Sequence, residues 1–343
     1  MIDFSPDDEQ QSILDNISGV LSREAPVSRL RDSTAKAGQV ANAEFIRRVA
    51  GLGWLGLGLS EDKGGAGYGL VEEMLLFQEA GRHLVTPKLL ACVLGARAAA
   101  LGGQVDLAGD ILGGTVQVAL LSPLGLAEIG PSSRGTFYRL DGEPGDFLLA
   151  IDGRGAELID GAAFAAAEKL RGLDDHVGLA KARLDGATAR AWVPFDRDPS
   201  CLRATILISA TLVGIAAASR DLAVSYAKLR EQFGQPIGAF QAVKHHCADM
   251  AVRCEAAQSL TTFAMLAVRD HRDDAAFQAA AAKLVAIGAG IGNAEKTIQV
   301  HGGMGFTADC EANLYLKRAH LFAELGGNAR SQQARLLAET TPA

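Results

Sequence analysis

Apolar residues in the first third of the chain recur at the spacing of helices. The run Ser5-Pro6-Asp7-Asp8-Glu9 predicts a helix start, with Ser5 as the cap, Pro6 at the first helical position and carboxylates near the positive end of the helix dipole. Ile13, Ile17 and Leu21 behind it fall on one face. Further helices are predicted over about 43–50 and, after a glycine-rich turn, about 70–80. Residues 1–115 are therefore predicted to form an N-terminal helical domain.

The pattern changes between residues 116 and 199. Short apolar runs, such as VQVALLSP, GTFYRLDG and DFLLAIDG, are separated by Gly, Asp and Pro. Such runs are typical of antiparallel strands joined by tight turns. This stretch is predicted to be a small middle β domain.

Long helical patterns return after Pro199. They cover about 201–230, 240–268 and 274–299, and shorter pieces follow Phe306. Residues 200–343 are predicted to form a C-terminal helical bundle. The predicted fold class is mainly α with a small β domain.

Composition narrows the class of protein. The chain has 343 residues, 33 basic and 40 acidic side chains, and a formal charge of −7, which argues against nucleic acid or an anionic membrane as the main partner. The five cysteines have no CxxC spacing. The N-terminal residues are acidic, whereas a signal peptide begins with basic residues. The apolar stretch 275–294 is interrupted by Lys283. These features predict a reduced, cytoplasmic protein with no disulfide framework and no membrane span.

The segment REQFGQPIGAFQ, residues 230–241, has the highest density of groups suited to binding. The guanidinium group of Arg230 is planar and permanently charged, which suits phosphate oxygens. Phe233 offers a face against which an aromatic ring can lie. Gln232 and Gln241 can each donate and accept hydrogen bonds. The arrangement suits a nucleotide diphosphate. A helix–helix turn with an exposed arginine and one core phenylalanine is an equally weighted interpretation.

The segment QVHGGMGF, residues 299–306, places two glycines directly after a helix. Glycine permits positive φ and lets a ligand approach the backbone closely. On its own, the pattern is more typical of a helix C-cap.

Three segments together resemble the acyl-CoA dehydrogenase family in order and spacing over nearly the whole chain. REQFGQPIGAFQAVKHHCADM is similar to the family's signature on its C-terminal helices, and QVHGGMGFTADCEANLYLKRAH resembles its second signature. GLGWLGLGLSEDKGGAGYGLVEEMLLFQEAGRHL is similar to its N-terminal turn and helix. The resemblance implies an N-terminal helical domain, a middle β-barrel and a C-terminal four-helix bundle.

The resemblance also implies FAD, held between the subunits of a dimer within a tetramer. Arg230, Gln232, Phe233 and Gln241 would meet its pyrophosphate and adenosine half from one subunit. Gln299, Gly302 and Gly303 would approach that half from the neighbouring subunit. Asn328 stands where the family often has another polar FAD contact.

The implied reaction is α,β-dehydrogenation of an acyl-CoA thioester, in which a carboxylate removes the α-proton. The usual position of that glutamate is occupied by Gly326, and the alternative position near the first C-terminal helix reads Leu202-Arg203-Ala204-Thr205, without a carboxylate. Glu324 is a displaced candidate, although a helix would point it about 200° away from position 326. A surface carboxylate is the more ordinary interpretation. The middle domain also lacks the family's Thr-Glu-Pro and Trp-Ile-Ser/Thr-Asn segments, and LLSPLGLAEIGPSSRG lies there instead.

Two hypotheses follow. The chain is an acyl-CoA dehydrogenase with its base at an unusual position, or it is a catalytically silent subunit that completes the FAD site of a heteromeric enzyme. The expected assembly is a homodimer or homotetramer in the first case and an α2β2 heterotetramer in the second. The family usually passes electrons to electron-transfer flavoprotein. His245-His246-Cys247 does not predict a metal site, because adjacent helical side chains diverge by about 100°.

Overall fold

The first helix, α1 (Asp8–Glu24), begins at a reciprocal cap between Asp7 and Gln10. The Asp7 carboxylate accepts from the backbone N–H of Gln10 at 2.9 Å, and the Gln10 side chain accepts from the backbone N–H of Asp7 at 3.2 Å. The predicted cap, Ser5, lies outside the described residues. Asp7 caps the helix instead, because its carboxylate and the glutamine three residues later satisfy two backbone donors together. The prediction of Pro6 at the first helical position was wrong, since Pro6 precedes the cap.

The structure is a computed structural model. It describes residues 6–32, 35–143, 146–164 and 166–338, except for the side chains of 35–41. The chain divides into two compact units, described separately below. The first contains Met1–Asp32, Met74–Leu84 and Thr205–Ala343, and the second contains Ser33–Glu73 and Val85–Ala204.

The second unit combines three helices with a small sheet. Its helices are α3 (Ala35–Ala50), α5 (Lys88–Leu101) and α6 (Val105–Leu112), and α4 (Leu70–Arg82) begins in it. Its strands are β1 (Val118–Glu128), β2 (Ser132–Leu140), β3 (Phe147–Asp152), β4 (Gly155–Ile159), β5 (Glu168–Leu170) and β6 (Leu179–Pro194). The strand order is β2-β1-β3-β4-β6-β5, and β2 also pairs with β6, which closes the sheet into a barrel-like form.

One pairing in this sheet differs from the predicted antiparallel pattern. β1 and β3 are parallel, with Val118 opposite Phe147. β2 returns antiparallel to β1 and then continues alongside β6, so the other edge of β1 is left for β3. The interior is filled by buried apolar side chains that include Phe137, Leu148 and Phe164.

The first unit is a bundle of long helices. It contains α1, α2 (Val27–Asp32), most of α4 and of α7 (Ser200–Leu229), α8 (Gln241–Arg269), α9 (Ala275–His301), α10 (Ala312–Glu324) and α11 (Ala329–Ala338). α4 and α7 cross closely, since a Cβ on Gly81 would lie 2.1 Å from the Thr211 carbonyl oxygen, and one on Gly214 would lie 1.9 Å from that of Gln78. The predicted long helices and the predicted fold class, mainly α with a small β domain, are confirmed.

Two helical stretches of the described chain, Ser200–Leu229 and Ala275–Phe306, are long and apolar enough to cross a membrane by length and composition. In α7, 83% of the most apolar window is buried inside the protein, and in the second stretch half of it is. The core helix of a soluble protein passes the same test of length and composition, so two such stretches are weak evidence for a membrane span.

Candidate functional site

The end of α7 leads into a small hairpin that carries most of the predicted binding residues. β7 (Glu231–Gln232) and β8 (Gln235–Pro236) pair antiparallel around a turn at Phe233-Gly234. Both turn residues have positive φ, 54° and 78°, as a type I′ hairpin turn requires. The sequence places glycine, which favours this conformation, at only the second position.

Phe233 is held in a conformation that costs energy for a bulky residue. A left-handed backbone costs a non-glycine residue about 1–2 kcal/mol. Its side chain is 92% exposed, so burial within the chain does not offset this cost. The ring of Phe240 contacts it edge-on, with the centroids 6.0 Å apart. An exposed aromatic ring on a strained turn is typical of a site that a ligand or another chain covers.

Three polar side chains surround this turn. Arg230, Gln232 and Gln241 are all exposed. Within the described chain, Arg230 forms no ion pair, and the Gln232 side-chain amide donates to the Glu231 carbonyl oxygen at 2.7 Å. The guanidinium of Arg230 is therefore available to an anionic group.

The second predicted segment follows the C-terminus of α9. Gly302 has a φ of 61°, and a Cβ placed on Gly302 or Gly303 would meet no protein atom within 4 Å. Gln299 is exposed, one turn back along the helix. The two glycines thus leave open space directly over the backbone. Only at position 302 does the backbone conformation itself require glycine.

A stacked pair joins the two segments within one chain. The rings of Tyr226 and His301 lie 4.1 Å apart at an angle of 22°, and His301 Nδ1 lies 2.8 Å from the Thr297 carbonyl oxygen. Val300 shares a small apolar cluster with Ala227, and Ile237 packs against that cluster. The helix ends that lead into the two segments are therefore in contact within one chain. That the two segments meet FAD from different subunits, as the resemblance implies, stays a prediction. Neither Tyr226 nor His301 was singled out from the sequence.

The position that carries the base in the family is a glycine in a tightly held loop. Gly326 has a φ of 68°, and Gly327 has a φ of 99°. Glu324 is the last residue of α10, is exposed, and accepts from the Asn328 side-chain amide at 3.3 Å. Asn328 Oδ1 in turn accepts from the backbone N–H of Ser331 at 3.1 Å, so Asn328 caps α11.

The other position at which the family keeps its base also lacks a free carboxylate. Arg203, near the start of α7, donates to the buried carboxylate of Glu73 on α4. A Cβ on Gly58 would collide with both side chains, so the chain is closely packed around the pair. Glu73 is a buried acid that the sequence pattern did not indicate. Its carboxylate is already occupied by the ion pair with Arg203.

These residues fit the adenosine diphosphate half of FAD. An arginine that forms no ion pair with a described residue, an exposed aromatic ring and two glycines with open space above them match the needs of a pyrophosphate and a flat base. Among the described residues, no group of three His, Cys, Asp or Glu side chains is placed to hold a metal ion.

Two family models match the chain. The model of the acyl-CoA dehydrogenase N-terminal domain matches residues 7–108, and that of the acyl-CoA dehydrogenase C-terminal domain matches residues 203–340. The chain is 35% identical over 304 residues to acyl-CoA dehydrogenase FadE34 of Mycobacterium tuberculosis, which covers 84% of this chain but only 42% of FadE34.

Two further similarities extend over most of both proteins. Acyl-CoA dehydrogenase IpdE2 of Mycolicibacterium smegmatis is 31% identical over 289 residues, covering 84% of this chain and 85% of IpdE2. A solved structure of a variant of the Tcur3481-Tcur3483 steroid ACAD superposes with a TM-score of 0.83 at 28% identity, covering 96% of this chain and 97% of the other. The chain belongs to the acyl-CoA dehydrogenase family.

Proposed function

We propose that the chain takes part in the FAD-dependent α,β-dehydrogenation of an acyl-CoA thioester, as the subunit that holds the adenosine diphosphate half of the flavin. The observation that carries this proposal is the Tyr226–His301 stack, which joins, in one chain, the helix ends that lead into the Arg230 hairpin and the Gly302-Gly303 turn. Arg230 would pair with the pyrophosphate, Phe233 would lie against an aromatic ring, and Gly303 would let the ligand approach the backbone. Gln232, Gln241, Gln299 and Asn328 would add polar contacts.

Bound FAD supplies the oxidising chemistry that side chains lack. The protein must add a carboxylate that removes the α-proton and a site that excludes water. This chain offers no such carboxylate at either family position, since one is Gly326 and Arg203 at the other is paired with Glu73. The proposal is therefore that a partner subunit supplies the base, in an α2β2 heterotetramer.

The proposal of a partner is supported by the relatives. The steroid ACAD that this chain resembles carries two protein names, Tcur3481 and Tcur3483. In FadE34, the region similar to this chain makes up less than half of the protein. A cytoplasmic location, expected from the cysteines and the acidic N-terminal residues, belongs to the same proposal. So does electron-transfer flavoprotein as the electron acceptor, which is usual for the family.

A titration with FAD tests the binding half of the proposal. We expect FAD fluorescence to change on binding to the assembled protein, ADP to compete with FAD, and FMN not to compete, because the contacts lie on the adenosine diphosphate side. Equal binding of FMN and FAD, or no binding of FAD by the assembly, would contradict the proposal.

A second candidate, a self-sufficient enzyme, has one observation in its favour. Glu324 is exposed and lies two residues from Gly326, in the same turn of chain. A Glu324→Gln substitution separates the two functions. We expect turnover of the heteromeric enzyme to be unchanged, whereas loss of turnover would identify Glu324 as the base.

A further inference from the structure

Lys283 is a buried lysine in the middle of α9. It is fully shielded from solvent and is one of the largest completely buried side chains of the described chain. Burial lowers the pKa of its amine well below the ordinary value of 10.5, while the charge of Glu324 partly opposes this. An apolar residue of similar length, such as methionine, would fill the same space without burying a polar group. Packing alone therefore does not explain a lysine at this position.

The amine of Lys283 has a specific acceptor. Nζ donates to the carbonyl oxygen of Phe322 at 2.6 Å. Phe322 lies in the last turn of α10, where the carbonyl groups have no donors within the helix. Lys283 thus caps α10 from α9, a helix distant from it in sequence.

The chain that follows this cap is held by further donors. The side-chain amide of Gln332, which is buried, donates to the carbonyl oxygens of Gly326 at 3.1 Å and Gly327 at 2.9 Å. Arg335 Nη1 lies 3.3 Å from the Gly326 oxygen. Two consecutive glycines with positive φ give the loop little stiffness of its own, so these hydrogen bonds determine its path.

Lys283 contacts the chain just before this loop begins. Gln332 and Arg335 both reach it from α11, on its C-terminal side. The Lys283 contact with Phe322 acts on the opposite side, at the end of α10. Removal of the Lys283 hydrogen bond would loosen the chain at the N-terminal end of the loop. The C-terminal end would still be held by Gln332 and Arg335.

We propose that Lys283 is a positioning residue that fixes the loop 325–328 and, through it, the place of Asn328 at the FAD site. The effect of Lys283 on FAD binding rests on the function proposed above. Its effect on the loop does not, because it rests on the hydrogen bond to Phe322.

The test compares Lys283→Met with Lys296→Met, a substitution of a half-exposed lysine on the same helix. Hydrogen exchange of the backbone amides over residues 322–332 is measured by mass spectrometry in the assembled protein, together with the affinity for FAD. For Lys283→Met we expect exchange in this segment to rise roughly tenfold, as on loss of one hydrogen bond that holds a backbone. We also expect FAD to bind several-fold more weakly, and Lys296→Met to change neither quantity.

A second region guards against a general loss of folding. Exchange over α8, measured in the same experiment, should be the same in Lys283→Met as in the unaltered protein. Unchanged exchange over residues 322–332 in Lys283→Met, or an equal rise over α8, would overturn the positioning role. Faster exchange with unchanged FAD affinity would overturn only the link to FAD. Absence of FAD binding by the unaltered protein would instead overturn the proposed function.

Discussion

The rings of Tyr226 and His301 stack at 4.1 Å, and through this contact the ends of α7 and α9 are held together. Each helix end leads directly into one of the two predicted binding segments. Tyr226 lies four residues before Arg230, and His301 immediately precedes Gly302. The pair therefore joins the helix that leads to an arginine suited to phosphate with the helix that leads to a glycine turn with open space above it.

Removal of the Tyr226 ring should weaken FAD binding without direct contact to the ligand. A stacked aromatic pair contributes about 0.5–1.5 kcal/mol, so Tyr226→Ala is expected to raise the dissociation constant of FAD by about two- to tenfold. Tyr226→Phe keeps the ring and should bind FAD as the unaltered protein does. Fluorescence titration measures both, and equal affinity of all three proteins would show that the stack does not position the site.

Arg230 should contribute more strongly, because it would pair with a charged group. A hydrogen bond to a charged group is worth about 1.5–3 kcal/mol, so Arg230→Ala is expected to weaken FAD binding by about ten- to a hundredfold. The loss should shrink at high salt, which screens exposed charges. Arg183→Ala, which removes a similarly exposed arginine from β6, is the control and should have no effect on affinity.

The two adjacent glycines should respond differently to alanine. Gly302 has a φ of 61° and a ψ of −141°, a backbone conformation that is essentially confined to glycine, so Gly302→Ala is expected to cost about 1–3 kcal/mol of folding free energy, measured by denaturant unfolding. A Cβ at Gly303 meets nothing in the chain and needs no unusual backbone, so Gly303→Ala should leave stability unchanged while weakening FAD binding. If Gly303→Ala binds FAD normally, the ligand does not approach this turn.

Lys283 should give the protein a characteristic dependence of stability on pH. Because the folded state lowers its pKa, the unfolded state binds the proton more tightly. The free energy of unfolding therefore falls as pH decreases from 10.5 towards the lowered folded pKa, and is constant with respect to this group outside that window. Lys283→Met removes this dependence, so its stability relative to the unaltered protein should increase as pH falls through the window. Denaturant unfolding at several pH values checks the slope, and parallel curves for the two proteins would contradict a lowered pKa for Lys283.

The sequence predicted the helices, the β region and the family because each depends on local pattern. Apolar spacing located α7, α8 and α9 to within about two residues, and glycine and proline marked the strand ends. Errors arose where the outcome depends on a particular partner. The Asp7–Gln10 cap needed recognition of a reciprocal pair three residues apart, and the parallel pairing of β1 with β3 joins strands that β2 separates in sequence.

Only those residues of the candidate site that belong to sequence motifs could be predicted. Arg230 and Gly302 belong to recognisable segments, whereas Tyr226, Glu73 and Lys283 matter through contacts with residues far away in sequence. A lysine in the apolar stretch 275–294 was visible from the sequence, but its acceptor on Phe322 was not. The assignment of Asn328 to FAD remains a prediction, and the structure adds that its side chain caps α11.

The central claim is that this chain binds FAD but does not carry the catalytic base. The most direct measurement is the anaerobic absorbance spectrum of the chain purified alone and loaded with FAD, before and after addition of a panel of acyl-CoA thioesters. The account predicts that no thioester bleaches the flavin band in the chain alone, and that bleaching appears once a partner subunit with the family's glutamate is added. Bleaching by the chain alone, abolished by Glu324→Gln, would contradict it.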